Sequence, residues 1–236
     1  MPDALHETHD QGLPLTLNGT ALLADRSGAL FVPAHAALIV ADLHLEKGSG
    51  LARAGSLLPP YDSRATLAAL ADAIERRRPQ RVICLGDSFH DRDAAARLDG
   101  ADAALLRAMV AGREWLWLLG NHDPAPPAGI GGGVAEELVL GGLVLRHQAR
   151  PGPVAGEISG HLHPKASLSW RGRRVGGRCF VAGRSRVVLP AFGAYAGGLD
   201  VLAPAISGLF GGGFEALLLG RQRLARFSAA QLRRVG

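Results

Sequence analysis

Five short segments carry the residue types that hold divalent metals and move protons. They are Asp42-Leu-His44, Gly86-Asp87, Gly120-Asn121-His122-Asp123, a single His147, and Gly160-His161-Leu-His163. Asp42 and His44 are two positions apart, so in extended backbone both side chains leave on one side, and His161 and His163 repeat the arrangement. Mixed carboxylate, amide and imidazole donors suit hard or borderline divalent ions, and the lack of cysteine among them argues against a structural zinc site. The donors suffice for two ions, with one carboxylate free to bridge. Two metals about 3.5–4 Å apart are a known solution for phosphoryl chemistry, clamping the attacking and departing oxygens together.

Strands must deliver these side chains, and the sequence supplies them. Ala37-Leu-Ile-Val-Ala41 is a short apolar run ending in Asp42, Val82-Ile-Cys-Leu85 runs into Gly86-Asp87, and Trp115-Leu-Trp-Leu-Leu119 runs into Gly120. Helical spacing lies between them: Leu67, Leu70, Ala71 and Ile74 within Ser63–Arg78, then Leu105, Leu106 and Met109 within Ala101–Ala111. Asp62 and Ser63 are both plausible caps for the first helix, and cations at Arg76–Arg78 suit a solvated helix end. The order β, α, β, α, β predicts parallel strands with right-handed crossovers, and ligands collect at the carboxyl ends of such strands. The second half is β-rich. Glu136–His147 reads as a hairpin turning at Gly141-Gly142, followed by short strands at Glu157–Ser159, Ala166–Trp170, Arg178–Val181 and Arg186–Leu189. A closing pair follows at Phe214–Leu219 and Arg223–Phe227. One sheet, or two stacked sheets, flanked by helices fits this pattern.

With 236 residues, 47% apolar and 20% charged, the chain can bury a sizeable core and is neither disordered nor fibrous. Its apolar runs are too short to span a membrane, and the first residues lack the basic and apolar regions of an export signal. Cys84 and Cys179 make no disulfide framework, so a reduced, cytoplasmic enzyme is expected. Charge is uneven: residues 1–145 hold 12 Lys and Arg against 18 Asp and Glu, while residues 146–236 hold 14 against 3. Such asymmetry points toward a polyanionic partner.

In order, D-x-H, G-D, G-N-H-D, a single His and G-H-x-H resemble the calcineurin-like metallophosphoesterase superfamily, over roughly residues 37–190. Ala41-Asp-Leu-His-Leu-Glu-Lys-Gly48, Leu85-Gly-Asp-Ser-Phe-His-Asp91 and Gly160-His-Leu-His-Pro164 are similar to the bacterial ligase-associated DNA damage response endonuclease branch. The resemblance implies an α/β fold of metallophosphoesterase type, a two-sheet β-sandwich flanked by helices with the metal site at strand C-terminal ends. It implies one domain over 1–236, the strands of 200–236 included. Asp42, His44 and His163 would bind one metal and Asn121, His147 and His161 the other, with Asp87 bridging and a hydroxide held between the ions as nucleophile. His122 would protonate the leaving oxygen and Asp123 would orient its imidazole. His90 and Asp91 read as loop or outer residues, and His6, His9 and His35 have no partner spacing.

The branch further implies a manganese-dependent DNA endonuclease in repair, encoded beside an ATP-dependent DNA ligase and an Lhr-type helicase. Fe²⁺ or Zn²⁺ are the other candidate ions. The ligands alone leave monoester and diester open, and other members of the superfamily act on small nucleotides or phosphoproteins. A non-catalytic scaffold on the same fold could dispense with His122 and some ligands, yet every one is retained here. Lys47, Arg53 and Arg64 near the mouth, and Arg150, Lys165, Arg171, Arg173 and Arg174 beyond it, are the expected phosphate contacts.

Overall fold

A computed structural model describes residues 12–53, 55, 61–123 and 129–234. The first sheet has seven strands in chain order: β1 (Leu13–Leu17), β2 (Thr20–Ala24), β3 (Leu30–Val32), β4 (Ala37–Val40), β5 (Arg81–Leu85), β6 (Glu114–Leu118) and β7 (Gly133–Ala135). From β4 to β7 the pairing is parallel, as the alternating pattern requires, with Leu38 opposite Val82 and Val82 opposite Trp115. Strands β1 to β4 pair antiparallel, and the β1–β2 turn is Asn18-Gly19, both with positive φ (47° and 78°).

The second sheet contains β8 (Glu137–Leu140), β9 (Leu143–Arg146), β10 (Glu157–Ser159), β11 (Pro164–Trp170), β12 (Arg173–Ala182), β13 (Arg186–Val188), β14 (Leu199–Asp200), β15 (Glu215–Leu219) and β16 (Leu224–Ser228). The β8–β9 hairpin turns at Gly141-Gly142 as expected. Strands β9, β10 and β13 run parallel, while the long β12 pairs antiparallel with β11 at one end and with β13 and β15 at the other.

Alternation along β4 explains the layers. Leu38 and Val40 face helices α2 (Asp62–Arg77) and α4 (Gly100–Ala111), packing with Leu67, Leu70, Leu106 and Trp117. Ile39 and Ala41 face the second sheet, meeting Leu145, Ile158, Phe180 and Leu189. That outer sheet covers its far side with Val201, Ile206 and Phe210 around the short α5 (Pro204–Ser207). The architecture is the expected two-sheet α/β sandwich flanked by helices. Among the described residues no helix is long and apolar enough to cross a membrane.

Two local expectations are corrected. Asp62 and Ser63 do not cap α2: Asp62 accepts the Gly48 amide (2.9 Å), and Ser63 Oγ accepts the Glu46 amide (2.7 Å) and donates to Glu46 Oε1 (2.8 Å). They tie down the turn after His44, at the start of α1 (Lys47–Arg53). Nor is Arg76–Arg78 simply a solvated end. Arg76 and Arg77 reach the buried Asp25 (2.9 and 2.6 Å), and only Arg78 stays in water.

Candidate metal centre

The turns that carry Asp42 and Asp87 lie side by side because β4 and β5 are adjacent. The His44 amide donates to the Asp87 carbonyl (2.9 Å) and the Leu45 amide to that of Ser88 (2.9 Å), continuing the parallel ladder past the strand ends. Asp42, His44, Asp87, His161 and His163 all have positive φ, between 44° and 69°. This left-handed backbone turns each side chain inward, and such strain gathers at functional sites. Glycines provide the clearance. A Cβ on Gly160 would come within 2.6 Å of the Asp42 carboxylate, and one on Gly86 within 2.7 Å of His147 Nδ1.

The side chains converge in two triads, Asp42–His44–His163 and Asp87–His147–His161, with the donor atoms of each within 4.8 Å of one another. His44 Nε2 and His163 Nε2 are 3.2 Å apart, and His163 Nε2 is 3.5 Å from Asp42 Oδ1. In the second triad His147 Nε2 is 3.1 Å from His161 Nδ1 and 2.9 Å from Asn121 Oδ1, which adds the expected fourth donor. Asp87 Oδ2 faces both groups, 4.0 Å from His44 Nε2 and 3.5 Å from His147 Nε2.

The donor chemistry fits divalent cations. Asp42 Oδ1 is buried without a hydrogen-bond partner, an arrangement that is costly for an ionised oxygen unless a cation meets it. His147 Nδ1 lies 2.8 Å from the Leu85 carbonyl, so it carries the proton and Nε2 keeps its lone pair toward the site. Burial, with His163 and Lys47 close by, pushes His44 down to about 2 and keeps its ring neutral. His161 is lowered as well, first by burial and then by His147. Neutral imidazoles at His44 and His161, beside the buried Asp42 and Asp87 carboxylates, are in the protonation state that metal binding requires.

His122 stands at the open side, its side chain 43% exposed, with Nε2 4.0 Å from Asp87 Oδ2 and its amide donating to Asp87 Oδ1 (2.9 Å). Asp123 does not reach its ring. The Asp87, Ser88 and Phe89 amides all donate to the Asp123 carboxylate (2.8, 2.7 and 3.1 Å), so Asp123 holds the turn that presents Asp87. Burial pushes its carboxyl up to about 6, with the nearby Asp87 charge adding to the rise. The His90 carbonyl, 3.0 Å from His122 Nδ1, is what orients the imidazole, and the His90 ring stacks on it with centroids 5.6 Å apart. His90 therefore belongs to the site, and its place directly behind Gly86-Asp87 is the signal that could have marked it. Asp91 instead pairs with Arg97 (2.6 Å) at the end of the short α3 (Ala94–Arg97), and Arg97 also meets Ser49 Oγ (3.0 Å), linking this loop to α1. His35 lies in a 3₁₀ turn outside the site, and His6 and His9 fall outside the described residues.

The expected basic residues divide. Arg64 pairs with Asp99 and Asp102 rather than facing the mouth. Arg146 and Arg186 are buried against Glu157, so part of the charge excess serves the second sheet's interior. Arg150 is bound to Glu137 (3.2 Å), while Lys165 and Arg174 share one face of the β11–β12 hairpin and Arg173 lies on the other.

Two triads at the carboxyl ends of facing sheets, with an exposed imidazole beside the Asp87 carboxylate, are an arrangement suited to metal-dependent phosphoester hydrolysis. Residues 36–149 match the family described as calcineurin-like phosphoesterase, and the chain carries a domain of that family. Among solved structures, a nuclease MPE from Pseudomonas putida is similar at 29% identity and a TM-score of 0.71, covering 90% of this chain and 99% of that one. The phosphoesterase Yfce from E. coli aligns at 16% identity and a TM-score of 0.40, over 81% of this chain and 98% of its own. No curated protein matches the chain.

Proposed function

We propose that the protein is a dinuclear phosphodiesterase that cleaves DNA internally. The observation that carries this reading is Asp87 Oδ2, which faces His44 of one triad and His147 of the other at 4.0 and 3.5 Å. Asp42, His44 and His163 would hold one cation, Asn121, His147 and His161 the second, and Asp87 both. When bound, the pair supplies an activated water and neutralises phosphate charge. Mixed nitrogen and oxygen donors favour Mn²⁺ or Fe²⁺ over Mg²⁺, with Zn²⁺ a competitor, and Mn²⁺ is the ion we assign.

The chain's own residues do the remainder. With Nδ1 committed to the His90 carbonyl, His122 presents Nε2 to the cleft and, when protonated, donates from it to the leaving oxygen. Asp123 keeps the Asp87 turn in place through its three amides. Likeness to the P. putida nuclease supports a nucleic-acid diester as substrate. The branch resemblance of the motifs supports a setting in bacterial DNA repair, beside a ligase and a helicase, with residues 1–236 acting as one domain.

The test is purified protein with Mn²⁺ against circular single-stranded and duplex DNA, with an aryl phosphodiester and an aryl monoester alongside. Cleavage of circular DNA is expected. Hydrolysis of the aryl esters or of small nucleotides with intact circles would overturn the nuclease reading while keeping the phosphoesterase.

A further inference from the structure

We infer that a groove along the β11–β12 hairpin guides a single polynucleotide strand to the first metal triad. The inference rests on the nuclease reading above. The groove is lined by Lys165, Ser167, Arg174, Gly176, Ala194 and Ala196, with Arg178 in its floor.

Both walls grow from the triad itself. One begins at Lys165, two residues after His163 in the same segment. The other is the stretch after Phe192, whose amide donates to the Ala41 carbonyl (2.8 Å), while that of Gly193 donates to Asp42 O (3.1 Å). The Leu199 amide returns to the His163 carbonyl (3.1 Å), closing the second wall onto the first. A chain lying in the groove is therefore led to Asp42 and His163.

Antiparallel register puts Lys165, Ser167 and Ser169 on one face with Arg178, Gly176 and Arg174 opposite them. Lys165 and Arg174 thus stand about 13 Å apart along the hairpin, four residues at strand rise, a span for more than one phosphate. Arg178 is not a ligand contact. Its guanidinium donates to the Ala191 and Phe192 carbonyls (2.8 and 3.0 Å) and fixes the opposite wall. Gly176 raises no side chain between the cations, and Ala194 and Ala196 raise only methyls. Ser167 Oγ accepts from the Arg174 guanidinium (3.3 Å), which also donates to the Arg234 carbonyl. Arg174 is thereby held at the far end of the row with its remaining donors free for a phosphate. The Lys165 stem lies flat against Gly198, where any Cβ would strike its methylenes at about 2.5 Å, so its ammonium is aimed by packing. Among the described residues that line the groove none is a carboxylate, and Asp200, opposite Lys165 on β14, is the acid nearest to it in register. One row of cations over a floor of mostly small side chains suits one phosphodiester chain, bound through its phosphates with little sequence preference.

The test uses the Mn²⁺-loaded protein with a fluorescent single-stranded oligonucleotide and an aryl phosphodiester, each across a salt series. Lys165→Gln should lower the salt slope for DNA by about 0.7, and Lys165→Glu with Arg174→Glu by about 1.4. The double variant should raise KM for DNA tenfold or more and change the aryl diester less than twofold. Arg221→Glu with Arg223→Glu, the same charge change on the opposite side of the hairpin, should change neither. Groove variants that bind and cleave DNA like the parent would overturn the groove and spare the nuclease reading. Equal losses on both substrates would also overturn it, since the damage would then be to the metal site. A parent that hydrolyses the aryl diester but binds no DNA would instead remove the nuclease reading itself.

Discussion

Replacing Asp123 by asparagine separates two roles that its sequence position cannot distinguish. Its carboxylate takes the amides of Asp87, Ser88 and Phe89 at 2.8, 2.7 and 3.1 Å, all buried. An asparagine keeps one acceptor oxygen and sets its NH₂ group against the donors on the other side. One or two buried amides then lose their partner, at about 1–3 kcal/mol each, so a loss of about 3 kcal/mol is expected. For a chain of this size that lowers Tm by about 6–12 °C. The turn that presents Asp87 should loosen with it. Calorimetry of the metal-free protein, elemental analysis after Mn²⁺ loading, and rates on DNA and a nitrophenyl diester measure the three consequences. Lower Tm, reduced metal content and equal loss on both substrates are expected. A Tm within about 2 °C of the parent, with full metal and a loss confined to DNA, would refute this and return Asp123 to orienting the proton donor.

Asp87→Ala should leave less than half the parent's metal content, because Oδ2 faces both triads; a full complement by elemental analysis would remove the bridging role. His122→Ala should retain metal yet slow DNA cleavage by roughly 10²–10⁴, with a smaller loss for a nitrophenolate leaving group, and an equal loss on both would count against proton donation. Asp25 offers a pH test. Burial alone would raise its carboxyl, but hydrogen bonds from Ser27, Arg76 and Arg77 outweigh it and hold it below the usual range. A depressed folded pKa contributes stability above the unfolded value of about 3.9 that is lost as pH falls through the folded one. Between pH 5 and 2 the parent should therefore lose more stability in urea than Asp25→Asn; parallel slopes would contradict the assignment.

The candidate donors were legible because each lies within a few residues of a strand end, so a local run of apolar residues, joined by a glycine before Asp87, Asn121 and His161, announced them. Strands β4, β5 and β6 and helices α2 and α4 were readable for the same reason, their periodicity being strong and local. Strands β1 to β3 escaped that reading although Asn18-Gly19 is a strong hairpin signal, because Pro14 demotes its segment and β1 can accept a proline only as an edge strand. What Asp62, Ser63 and Asp123 do was not legible. Each acts on backbone amides from a distant segment, and no spacing rule encodes where those amides point. Arg76 and Arg77 likewise depend on Asp25, about fifty residues earlier, reaching the end of α2.

Each triad draws its members from both sheets. Asp42 and His44 follow β4 while His163 follows β10, and Asp87 follows β5 while His147 and His161 belong to the second sheet. A cation held by either triad is thus a cross-link between the layers, and the first one joins residues 119 positions apart. Because it would bind only the folded chain, it would stabilise that chain by mass action, contributing about 2.7 kcal/mol per site at a hundredfold excess over Kd. Catalytic loading and mechanical integrity would then be a single property of the molecule. A chelator would then lower Tm as well as activity, while the apolar core shared by the two sheets keeps them packed.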